Sequence, residues 1–106
     1  MEREALEARD RMLFVFVRMR AAPEHDLAVA AAIRTVVAAS RTEPGCVTIH
    51  GYRSGRDPQR FFIHSVWRDA DAFDAHAKLP HTTTVIGTVD PLLAEPREVT
   101  RTHEFA

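Results

Sequence analysis

The chain is poor in the residues that make function easy to read. Its 106 residues hold one cysteine, Cys46. An internal disulfide is therefore excluded, and a reducing, cytoplasmic compartment is expected. Glycine occurs four times, and nowhere in a phosphate-cradling loop, a dinucleotide fingerprint or a nucleophile elbow. Neither HExxH nor CxxC is present. Charge of one sign is also missing: 14 basic against 15 acidic residues leave a formal net charge of −1. Bulk electrostatics thus recruits neither nucleic acid nor an acidic membrane surface. No apolar run is long enough to span a bilayer, and no signal peptide is visible.

What is present suits one small domain with one modest core: 45% hydrophobic and 27% charged residues. Residues 1–11, MEREALEARDR, lack an apolar stripe and read as a tail or loose helix ahead of a domain over 12–106. LFVFVRMR, 13–20, reads as a strand. Pro23 suits the first turn of a helix whose stripe is Val29, Ala30, Ile33, Val36, Val37 and Ser40. That helix should end near Glu43-Pro44-Gly45. CVTIHGYR, 46–53, and RFFIHSVW, 60–67, read as strands of a hairpin joined by SGRDPQ.

A symmetric hairpin register places Cys46, Thr48, His50 and Tyr52 on one face with Phe61, Ile63, Ser65 and Trp67. The other face carries Val47, Ile49, Phe62, His64 and Val66, so both faces are substantially apolar. Helices covering one face and a second copy of the chain covering the other would satisfy both, and a homodimer is expected. Asp69 is a good N-cap for a helix that sets Phe73, His76 and Ala77 on one side and stops at Pro80. HTTTVIGTV, 81–89, favours a strand by local propensity, and REVTRTHEF, 97–105, alternates as a last strand. The order is that of an α+β, ferredoxin-like antiparallel sheet with helices on one face.

His76 and His81 stand five positions apart across Pro80, which is not the spacing of two ligands on one helix face, and no metal is expected. His76 is either the C-terminal cap of its helix or a base facing an aromatic-lined cavity. His81 starts the next segment. His50, mid-strand, is either a satisfied core histidine or a base in the same cavity. Tyr52, Trp67 and Phe73 either fill the core or wall a pocket for a flat ligand.

EPGCVTIHGYR followed by RFFIHSVWRDADAFDAHAKLPH resembles the antibiotic biosynthesis monooxygenase domain, a family that includes quinol-monooxygenase-like proteins. The resemblance rests on Glu43-Pro44-Gly45-Cys46, the strand ending in Trp67, and Ala75-His76 with Pro80-His81. It implies a dimeric α/β barrel and makes 81–89 a helix. It further implies an oxygenase of a small aromatic, phenolic or quinol substrate that uses dioxygen without a cofactor. His50 or His76 would be the proton acceptor, and Tyr52, Ile63, Ser65, Trp67, Phe73 and His81 would line the substrate site. Ser65 stands where many members carry glutamate. Ile63 and Phe73 stand where polyketide-oxidising members carry asparagine and tyrosine. Those departures keep a second reading in play, a non-catalytic binder of a hydrophobic small molecule. Val17, His76 and Ile86 occupy the positions of a haem-degrading branch's asparagine, tryptophan and histidine, which argues against haem.

Overall fold

The computed structural model describes residues 2–106. Its elements are α1 (Glu2–Arg11), β1 (Leu13–Arg20), α2 (Asp26–Ser40), β2 (Cys46–Arg53), β3 (Arg60–Trp67), α3 (Ala70–Lys78), α4 (Pro80–Val89), a 3-10 turn at Asp90–Leu92, and β4 (Glu98–Thr102). The four strands form one antiparallel sheet in the order β2-β3-β1-β4, the ferredoxin-like arrangement. Residue 1 of the expected tail lies outside the described residues, and the rest forms α1, which buries no side chain.

Alternation within the strands decides the core. Leu13, Val15 and Met19 of β1, and Phe61 and Trp67 of β3, point to one face and are buried there. The α2 stripe Val29, Ile33, Val36 and Val37 packs on Met19, Ile49 and Phe61, and Val89 of α4 joins the same cluster. Ala72 of α3 packs with Leu13, Val15 and Trp67. Fully burying an aliphatic side chain of this size contributes roughly 1.5–3 kcal/mol before ordering costs. The α2 stripe is therefore a large share of what holds helix to sheet.

Two expectations need correction. Pro23 does not open α2. Glu24 adopts a left-handed φ of 72°, which breaks the helical path, and the first helical bond runs from Val29 N–H to the His25 carbonyl. Segment 81–89 is helical, as the family resemblance implies and against the local β-propensity of its three threonines. Pro80 supplies a pre-set first-turn φ, and packing of α4 against α2 outweighs the local preference. The second correction concerns the hairpin. Cys46 pairs with Trp67, but Thr48 already pairs with Val66, so Val47 is an extra residue in a β-bulge. From there on each β2 residue sits one position off the symmetric register. Ile49 and Gly51 turn to the helices, whereas Thr48, His50 and Tyr52 turn to the open face with Phe62, His64 and Val66.

That open face is aromatic. Phe16 is 48% and Tyr52 52% exposed, and the rings of Phe16 and His64 lie 4.7 Å apart.

Gly45 lets the layers meet. A Cβ built there would lie 2.5 Å from the Ala72 Cβ on α3, while the Gly45 carbonyl accepts a hydrogen bond from Arg68 N–H at 2.9 Å. Gly45→Ala is expected to destabilise the fold by about 1–3 kcal/mol through overpacking. The midpoint of urea unfolding, with an unchanged slope, measures it.

Candidate functional site

The site grows from the boundary between α3 and α4. The Asp69 carboxylate accepts from Ala72 N–H at 2.8 Å and starts α3. Helical spacing then brings Phe73, His76 and Ala77 to one side, toward the sheet. Leu79 is extended, with ψ 147°, as a residue before proline prefers, and Pro80 begins α4. This break folds His81 back, and the His76 and His81 rings lie 6.2 Å apart.

Glu43 stands between them. One carboxylate oxygen, Oε2, lies 2.8 Å from His76 Nδ1 and 2.8 Å from His81 Nε2. A carboxylate only accepts, so both rings donate N–H to it, which assigns the proton of His76 to Nδ1. The three side chains are 10%, 9% and 28% exposed for Glu43, His76 and His81. Glu43 is held by its own turn, where its N–H reaches the Ser40 carbonyl and its carbonyl accepts from Cys46 N–H.

His76 is also packed on aromatic rings: Trp67 at 4.4 Å and Phe73 at 5.7 Å between centroids. The Arg101 guanidinium sits 4.8 Å from the Phe73 ring centre.

His76 and Phe73 border a cavity of about 220 Å³ between helices and sheet. Ile63 and Ser65 line its sheet side, and Thr82, Val85 and Arg97 complete much of the rest. Its wall is overwhelmingly apolar. Of the expected pocket residues, Ile63, Ser65, Phe73 and His76 are there. Trp67 is fully buried behind them, its indole N–H donating to the Ser65 hydroxyl at 2.9 Å. His81 lies behind Glu43 and does not border the cavity. His50 and Tyr52 are not at this cavity. The Val47 bulge turns them away from the helix-covered face, and they border a separate groove along the β2 edge beside Arg34 of α2 and Arg41 at its end. There His50 Nδ1 lies 3.2 Å from an Arg41 nitrogen.

Sequence reasoning missed Glu43 as a site residue, although the Glu-Pro-Gly turn was visible. It also missed Arg97, whose only signal was a lone cation before the last strand. The helix-spacing argument against a metal weighed only the two histidines. The fold inserts a carboxylate from 33 residues upstream of His76. Cys46, half-buried, has its thiol pKa raised, first by burial and then by the nearby Glu43 carboxylate. It stays protonated at neutral pH and is a poor nucleophile.

The family model for antibiotic biosynthesis monooxygenases matches residues 12–87. The chain belongs to this family. An uncharacterized protein of Synechocystis, sll1783, is 27% identical over 96 residues, covering 91% of this chain and 65% of the relative; the chain thus spans just under two thirds of that relative's length. PA3566 from Pseudomonas aeruginosa has a crystal structure 26% identical, with a TM-score of 0.84 and coverage of 91% of this chain and 96% of that one. A crystal structure described as an antibiotic biosynthesis monooxygenase, 23% identical, covers 89% of this chain and 99% of its own at a TM-score of 0.84; it shares the fold. Membership of the antibiotic biosynthesis monooxygenase family supports a monooxygenase-like role. Among the described residues, no helix is long and apolar enough to cross a membrane.

The Glu43 contacts make an energetic prediction. Glu43→Ala strands two imidazole N–H groups, one of them buried, so it should destabilise more than His81→Ala, by roughly 1–3 kcal/mol per stranded buried group. In a double-mutant cycle read by chemical denaturation, the pair should couple by about 0.5–3 kcal/mol.

Proposed function

We propose that this protein is a homodimeric monooxygenase that acts with dioxygen on a small phenolic or quinol ring held in the helix–sheet cavity. The observation that carries the reading is His76. Its Nδ1 proton is committed to Glu43, which leaves Nε2 as the lone-pair nitrogen at an apolar cavity. That is the arrangement of a carboxylate-oriented general base. His76 would accept the phenolic proton, and Glu43 would hold the ring in that tautomer and stabilise the imidazolium that forms.

The size of the cavity fits the proposal. An apolar cavity of about 150 Å³ holds benzene, so about 220 Å³ suits a molecule of one or two rings. Arg97, at the wall, would favour the anion left by proton loss.

The substrate would supply the reducing power. Deprotonation makes the ring electron-rich, and the anion passes electrons to dioxygen. One oxygen atom enters the substrate and the other leaves as water. Conversion of a quinol to its hydroxyquinone, one ring C–H becoming C–OH, balances this, because the ring loses four electrons and dioxygen gains four. No cofactor is needed in this balance, in keeping with the family resemblance, and the single unpaired Cys46 accords with a cytoplasmic setting.

Oxygen uptake measured over a panel of one- and two-ring hydroquinones tests the reading, with three-ring anthrones expected to be excluded by size. His76→Gln is expected to lower protein-dependent uptake about 10²–10⁴-fold, while His50→Ala leaves it unchanged. The absence of protein-dependent uptake across the panel overturns it. If a ligand copurifies in the cavity and is never turned over, the apolar wall is a binder's and not an enzyme's.

The open sheet face supports the dimer. Phe16 and Tyr52, half-exposed beside Phe62 and His64, make an aromatic patch that a second copy would cover. Phe16→Glu is expected to shift the protein from dimer to monomer in sedimentation equilibrium. A monomeric wild type removes this part of the reading.

A further inference from the structure

Glu43, His76 and His81 each offer one metal-ligating atom, and the three atoms lie within 4.8 Å of one another. We propose that this cluster binds a divalent first-row transition-metal ion of the zinc type, at one site per chain.

The donor set fits. Two imidazole nitrogens and one carboxylate oxygen are hard-to-borderline ligands, the combination that holds zinc and its neighbours while leaving a further coordination position open. The geometry fits as well. Oε2 already lies 2.8 Å from each histidine nitrogen. Metal–ligand bonds of about 2.0–2.2 Å at tetrahedral angles put ligand atoms roughly 3.3 Å apart. The two Glu43 contacts thus widen by about half an ångström, while the two histidine nitrogens, within 4.8 Å of one another, close toward the same spacing. The Thr82 hydroxyl, 3.4 Å from His76 Nδ1, stands where it can hydrogen-bond a water at the open position.

Preorganisation is the stronger argument. The ligands come from three segments that are each fixed independently. A backbone turn bond from Ser40 holds Glu43, ring packing on Trp67 holds His76, and the Pro80 break holds His81. Two of the three side chains are about nine-tenths buried, which strengthens charge interactions, while His81 is 28% exposed and gives a hydrated ion a way in. An ion would take the place of the two N–H donors that now face one carboxylate, each neutral ring shifting its one proton to its other nitrogen. His76 would then coordinate through Nδ1 with its single proton moved to Nε2. If His76 is the proton acceptor proposed above, the ion-bound chain cannot use it. That consequence rests on the proposed reaction, whereas ion binding itself does not.

The test reads binding and not turnover. The untagged full-length chain, stripped with chelator and dialysed, is titrated with Co²⁺ by visible absorption and with Zn²⁺ by calorimetry. One ion per chain and the ligand-field bands of a low-coordinate site are expected. His81→Gln, at the most exposed ligand, should weaken binding by at least about 100-fold, beyond the roughly 10–100-fold cost of losing an outer-shell partner. Glu43→Gln should do the same, and His103→Gln, remote in an exposed tail, should change nothing. Circular dichroism of each variant establishes that it is folded, and a folded His81→Gln that binds as tightly as the wild type overturns the proposal. So does a wild-type chain with no saturable binding up to millimolar Zn²⁺. A chain that binds one ion yet never consumes oxygen upholds the site while removing the proposed reaction.

Discussion

The contact on which the site depends is one carboxylate oxygen receiving two imidazole N–H groups. Glu43 lies in the turn between α2 and β2, His76 in the last turn of α3, and His81 at the start of α4. Its oxygen therefore joins three segments at one point. Two residues without chemistry of their own make it reachable. Gly45 lets Ala72 come close enough that no side chain would fit between them. Pro80 ends α3 and forces Leu79 into an extended conformation, so the chain doubles back and His81 meets the same oxygen. In partly dry surroundings each such bond is worth more than in water, and losing the acceptor costs more than any one bond contributes.

The sheet distributes the remaining chemistry by parity. A strand alternates faces, so a single extra residue at Val47 reassigns everything after it. Ile49 gains a place in the core. Gly51 faces the helices, where Ile33 leaves room for no larger residue without movement. His50 and Tyr52 go to the opposite surface, beside Phe62 and His64. The two faces thereby acquire different characters: one dry, with helical cover, and one half-exposed and aromatic.

Within the dry layer most polar groups already have partners. The Ser65 hydroxyl receives the Trp67 indole, and His76 Nδ1 belongs to Glu43. His76, its Nδ1 engaged by Glu43, is the one histidine bordering this cavity among the described residues. Where the wall is hydrocarbon and the other polar groups are satisfied, a lone basic nitrogen has a disproportionate effect on whatever ring lies against it.

Much of this was legible from the chain alone. The strands over 13–20, 46–53 and 60–67 followed from composition and alternation, and the limits of α3 from Asp69 as a cap and Pro80 as a stop. The motif around Glu43-Pro44-Gly45 and Ala75-His76 pointed to the family. Local signals were enough there because each depends on neighbours three or four positions away. What local signals did not carry shares one cause. The helix over 81–89, ambiguous by propensity and implied by the family resemblance, is stabilised by packing on α2, which no window of threonines reveals. The bulge at Val47 depends on how β2 meets β3, not on either strand's composition. Glu43 became part of the site because a turn and two helices converge on one oxygen. Sequence by itself determined which segments could be strands and helices, and that a polar histidine would sit on an otherwise apolar helix face. Tertiary structure alone decided which face each strand residue took and which distant side chains met. Those outcomes depend on contacts between segments far apart along the chain, and local preference carries no information about them.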